Sequence, residues 1–105
     1  MATRIYLIVR AVIPDPEDRA PFDLWYQQEH LQDAMRAFKV THAFRAWNRT
    51  DPSVHSAHYE FPSIAAAQAL DGTDTIKALV AEFDRHWLGR VTRSREIFEV
   101  VDERL

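Results

Sequence analysis

At 105 residues, with 47% apolar and 28% charged positions and only two glycines, the chain is composed like one globular domain, residues 1–105, rather than a disordered segment or a repeat array. A domain of this size buries about two-thirds of the surface its unfolded chain exposes, which suffices for one core. The net charge of −3, with no basic block or aromatic-basic stripe, argues against nucleic acid as a partner, and the lack of cysteine excludes disulfides, thiolate chemistry and cysteine-ligated metals.

Met1-Ala2-Thr3-Arg4 leads straight into an apolar run of strand length. That run is too short and too β-branched for a signal peptide, and no stretch approaches the roughly 18 apolar residues of a membrane span. A cytoplasmic protein without a membrane partner is expected. Ile5 to Ile13 reads as the first strand, with Ile5, Leu7 and Val9 on one face and Tyr6, Ile8 and Val12 on the other, interrupted by Arg10. A strand apolar on both faces belongs in a sheet covered on both sides. Pro14, Pro16 and Pro21 are expected to hold an acidic loop with Asp15, Glu17 and Asp18 in solvent.

A helix is predicted from Phe22 or Asp23. Leu24, Leu31, Met35 and Phe38 recur as one apolar stripe, and at 100° per residue Tyr26, His30, Asp33 and Ala37 gather on the opposite side. Thr41–Arg49 and His55–Phe61 read as a hairpin across the turn cluster Thr50-Asp51-Pro52-Ser53. Ser63 caps an alanine-rich helical stretch from Ile64 to Leu70, interrupted at Asp71-Gly72. Ile76, Leu79, Val80, Phe83 and Trp87 then mark a strong helix with Gly89 at its end, and Arg93–Val101 reads as the last strand.

The order is β-α-β-β-α-β, an α+β, ferredoxin-like unit with a four-stranded antiparallel sheet. Its helices cover one sheet face. The first strand would leave three large apolar side chains wet on the other, forgoing roughly 1.5–3 kcal/mol each. Stacking on a second copy removes that loss, so a two-fold homodimer is expected.

Trp25-Tyr26-Gln27-Gln28-Glu29-His30-Leu31-Gln32-Asp33 resembles the W-Y-x-x-E-H-x-P-D signature of the EthD-like (ethyl tert-butyl ether degradation) proteins, matching at Trp25, Tyr26, Glu29, His30 and Asp33, with Gln32 in place of the proline. Those proteins belong to the dimeric α/β-barrel superfamily that also holds the antibiotic-biosynthesis monooxygenases. The resemblance implies two sheets closed into a shared barrel, with a pocket inside it or between each sheet and its helices.

His30 is the first candidate for chemistry, because an unperturbed imidazole changes charge near neutral pH. Asp33 at i+3 and Tyr26 at i−4 lie one helical turn from it, where Asp33 could orient the ring and Tyr26 bind a ligand oxygen. Trp25 and Trp47 are candidate pocket walls, although Trp25 and Trp87 are more simply read as helix packing. Arg10, Arg45 and His58 are strand residues able to reach a barrel interior, where an inward arginine would pair with Glu60 or meet an anionic ligand. His55 and His58, three apart on a strand, face opposite ways and cannot share a metal, so no metal is expected. No nucleotide-binding or nucleophile-elbow motif is present, and no cofactor is expected.

The leading expectation is a homodimer binding a small apolar or aromatic molecule, with cofactor-free acid-base or oxygenation chemistry on an aromatic or carbonyl compound. A non-catalytic accessory protein using the same pocket and a haem-handling protein are the alternatives.

Overall fold

The structure is a computed structural model that describes residues 4–104. Four strands, β1 (Ile5–Val12), β2 (Ala43–Trp47), β3 (Val54–Phe61) and β4 (Thr92–Glu99), form one antiparallel sheet in the order β2-β3-β1-β4. This is the ferredoxin-like arrangement the element order predicts, with the first and third strands central. In register, Leu7 sits between Tyr59 of β3 and Ile97 of β4.

The two sets of alternating side chains have separate fates. Ile5, Leu7, Val9 and Ala11 point under the helices with His55, Ala57, Tyr59 and Phe61 of β3 and form the floor of the core. Tyr6, Ile8, Arg10 and Val12 point the other way, where no element among the described residues covers them. Arg10 explains the choice, since a charge between two helices and a sheet would need a buried partner. On the open face Tyr6, Phe44 and His58 cluster, the last two stacked with ring centroids 4.4 Å apart, and Phe98 is 52% exposed.

Helix α1 (Pro16–Trp25) begins at Pro16, ahead of the predicted start at Phe22 or Asp23. Asp15 is its N-cap, its carboxylate accepting from the Glu17 N–H at 2.9 Å. Pro16 sits in the first turn, where no donor is missed, and Glu17 and Asp18 complement the helix dipole. The expected acidic loop is therefore a helix start, and Asp18 is tied to Arg90 at 3.1 Å rather than left in solvent.

After one π-helical turn (Tyr26–His30) the chain continues as α2 (Leu31–Phe38), ended by Lys39 in the left-handed conformation at φ 58°. Ser63 and Thr73 cap α3 (Ile64–Gln68) and α4 (Asp74–Trp87) through their hydroxyls, and Gly89, at φ 82°, lets the chain turn away after α4. The last strand ends at Glu99, short of the predicted Val101, which is exposed. Among the described residues no helix is long and apolar enough to cross a membrane.

Candidate functional site

The π turn decides where the chemistry-bearing side chains go. Its signature is the Leu31 N–H bonded to the Tyr26 carbonyl, i to i+5 instead of i to i+4. In an unbroken α-helix residues five apart diverge by about 140°. Here Trp25 and His30 stack, with centroids 4.5 Å apart and planes 18° from parallel, and Tyr26 meets the same imidazole edge-on at 4.9 Å.

One inserted residue also rotates everything before it by about 100° relative to α2. That breaks the predicted stripe at Leu24, while Leu31, Met35 and Phe38 still pack against the core. Leu24 is 51% exposed, whereas Phe22, Trp25, Tyr26, His30, Ala34 and Phe38 form the buried face. Of the side predicted to be polar, Tyr26 and His30 turn into the core and Asp33 stays outside.

His30 is 7% exposed, and its Nδ1 is buried without a hydrogen-bond partner. Burial, only partly offset by the charge of Asp33, pushes its pKa down to about 4. The ring is thus neutral at pH 7, with a polar atom that nothing in the described chain satisfies. It forms one wall of a cavity of about 40 Å³ between helices and sheet, together with Tyr26, Tyr59, Phe38, Phe83 and Arg93. The Tyr26 and Tyr59 hydroxyls lie 3.3 Å apart. Burial drives the Tyr26 phenol up to about 12 and raises that of Tyr59 further, so both stay protonated. Two phenols share one hydrogen bond and leave one O–H to give to a ligand oxygen.

The cavity adjoins a groove of about 620 Å³ between β4 and the α3–α4 corner, floored by Leu7 and Ile97. Val80, Arg93 and Arg95 line both. Arg93 bonds Asp84 at 3.0 Å and lies over the Phe83 ring at 4.5 Å. Arg95 reaches Asp71 at 3.6 Å.

The remaining candidates fall into three places. Asp33 does not touch His30; it is bonded to Arg36 on the outside of α2 and reaches the imidazole only through its field. The predicted orienting role therefore has no contact behind it.

Arg45, expected to find Glu60 or a ligand, lies under the helices instead. Its guanidinium donates to Asp23 at 3.0 Å and sits 3.2 Å from the His55 Nε2, while Trp47 donates to the same Asp23 oxygen at 2.7 Å. Those donors hold the Asp23 carboxyl below the usual range, the Trp47 bond being the largest influence. His55 is held neutral, near 3, by burial and by Arg45. This network fastens α1 to the sheet and engages both Arg45 and Trp47, and Trp47 also lines, with Arg10, a hollow of about 350 Å³.

Arg10 and His58 lie across the sheet from His30, on the open face. His58 is bonded to Ser56 at 2.9 Å, and Glu60 accepts from Tyr6 at 3.0 Å. Among the described residues no cluster of three or more His, Asp or Glu could hold a metal ion.

Trp25, Tyr26 and His30 are thus the predicted residues the fold gathers into one place. Tyr59, Arg93 and Arg95 join them unpredicted. Their signal was strand alternation: Tyr59 shares a face with Phe61, and Arg93 and Arg95 share one with Ile97.

No protein-family model matches the sequence, and no curated protein does. Solved structures do. SnoaB, a cofactor-independent oxygenase from Streptomyces nogalater, superposes with a TM-score of 0.64 at 9% identity, over 99% of this chain and 98% of that one. An ethyl tert-butyl ether degradation (EthD) family protein from Bacillus halodurans gives 0.61 at 14% identity, over 87% of this chain and 96% of that one. An antibiotic biosynthesis monooxygenase gives 0.59 at 16%, over 95% and 99%. The chain therefore shares the ferredoxin-like fold of these antibiotic-biosynthesis-monooxygenase and EthD structures.

Proposed function

We propose that this protein is a homodimeric α/β barrel that binds a small aromatic or carbonyl compound against His30 and acts on it by cofactor-free acid-base chemistry. The observation that carries the reading is the buried, unpartnered Nδ1 of His30 on a cavity wall beside two protonated phenols. Leaving a polar atom unsatisfied costs about 1–3 kcal/mol, and such a cost is expected where a ligand supplies the missing bond.

In this reading His30 takes a proton from an acidic C–H of the substrate. The electron pair left behind delocalises onto the substrate oxygen, which receives a hydrogen bond from the Tyr26–Tyr59 pair. The carbanion is then reprotonated, or its electron pair reduces dioxygen, the oxidant, with formation of a C–O bond, and the resulting peroxide anion takes back the proton from His30 to leave a hydroperoxide. SnoaB, described as a cofactor-independent oxygenase, shares the fold and so lends support to the second branch. The homodimer is supported by the uncovered Tyr6, Ile8, Phe44 and Phe98 of the open sheet face.

Exchange of the acidic methylene protons of 2-indanone in D₂O, followed by proton NMR, tests the chemistry without knowledge of the natural substrate. The wild type is expected to accelerate exchange, and His30→Gln to lose about 100-fold or more of that acceleration. Tyr26→Phe should lose a smaller part. A folded His30→Gln variant as fast as wild type would remove His30 from the role. Binding of the ketone with no acceleration would favour a non-catalytic binding protein.

A further inference from the structure

A cavity of about 40 Å³ holds little more than a water molecule, whereas the adjoining groove of about 620 Å³ accommodates a bicyclic ring. Common to both is a pair of cations on one face of the edge strand. Arg93 and Arg95 line both spaces, and they differ in how they are held. Arg93 is fixed by Asp84 at 3.0 Å and by the Phe83 ring beneath it. Arg95 meets Asp71 at 3.6 Å, and that carboxylate is 85% exposed, so water screens the pair and it exchanges readily.

We propose that Arg93 and Arg95 form an anion-selective gate to the His30 cavity, so that the ligand is a flat aromatic molecule carrying a carboxylate or phenolate. This rests on the small-molecule reading above and names its substrate class.

In the gated arrangement the ligand anion displaces Asp71 from Arg95. The guanidinium swings with it and joins cavity to groove, and Arg93 supplies the second, stationary donor. A guanidinium presents two parallel N–H groups to a planar oxyanion and remains charged throughout, which suits it to this exchange. The apolar body then lies over Leu7 and Val80, with one end toward His30. An anion arriving there also favours the protonated imidazole and so strengthens His30 as a proton acceptor.

Quenching of tryptophan fluorescence is a direct readout, because Trp25 is stacked on His30. The probes are 2-naphthoate and 2-naphthamide, equal in shape and different in charge. Wild type is expected to prefer naphthoate by about tenfold or more. Arg95→Gln should cut the preference severalfold while keeping amide binding, and Arg93→Gln/Arg95→Gln should abolish it. Asp71→Asn, a change at an exposed position, should tighten naphthoate severalfold and leave naphthamide unchanged. Equal affinity of wild type for both probes, or a preference surviving in the Arg93→Gln/Arg95→Gln double variant with an unaltered thermal midpoint, would overturn the gate but leave the pocket standing. Failure of both probes to bind would overturn the pocket and the gate together.

Discussion

His30 carries a cost that should be readable as pH dependence. Its folded pKa is depressed to about 4 from an unfolded value near 6.5. Between those values the unfolded chain holds a proton that the folded chain refuses, so stability is full above about pH 6.5 and falls as pH drops toward 4. The share of His30 at pH 4 is about 3 kcal/mol. Urea denaturation at pH 7, 5 and 4 should show wild type losing that much more than His30→Gln; parallel losses would mean the imidazole is solvated. His55, buried in the Asp23–Arg45–Trp47 network, adds a second loss of the same sign, present in both proteins and therefore cancelling. The motif around Trp25 made Tyr26 and His30 visible as a pair. It could not show that Asp33 points away, because a sequence spacing of three permits a contact without requiring it, and Arg36 competes at the same spacing on the solvent side.

Among the elements, the first helix departs most from its reading, and both departures have local causes. Asp15-Pro16-Glu17-Asp18 contains a cap, a first-turn proline and two dipole-compensating acids, all helix-start signals, but three prolines in eight residues also describe a loop. The π turn left no trace in the residue pattern, because periodicity arguments assume a constant 3.6 residues per turn. One extra residue then moves Leu24 into solvent and Tyr26 and His30 into the core. The other end of the same unit stores a different strain. Lys39 closes α2 at φ 58°, a conformation in which its Cβ crowds the backbone. Lys39→Gly is expected to stabilise the fold by about 0.5–1 kcal/mol. A denaturation midpoint that stays put or falls would mean that the Lys39 side chain makes a compensating contact.

At the scale of the whole molecule the ferredoxin-like sheet was legible in the element order, and the separation of His55 from His58 in the sequence, because alternation at period two is set by backbone geometry alone. Which face the helices would cover was left open by the first strand's two apolar sets; Arg10 breaks the tie only once the third strand's small Ala57 and buried Tyr59 are placed beside Val9 and Leu7. The face that remains carries Tyr6, Ile8, Phe44 and Phe98 interleaved with His58, Glu60 and Arg10, since His58 lies between Phe44 and Ile8 in register and Tyr6 between Glu60 and Phe98. A second copy is the natural cover, since a two-fold axis brings the same patch to itself. Phe44 and Phe98 are 42% and 52% exposed in the lone chain, and replacing each with glutamate places a charge where the partner's rings should pack. Sedimentation at micromolar concentration is expected to give about twice the chain mass for wild type and a single chain for Phe44→Glu/Phe98→Glu, with a thermal midpoint that no longer rises with protein concentration. Because the His30 cavity lies on the opposite side of the sheet, the monomeric variant should still discriminate naphthoate from naphthamide. A wild type that sediments as one chain would leave the open face without its partner, and the barrel with it.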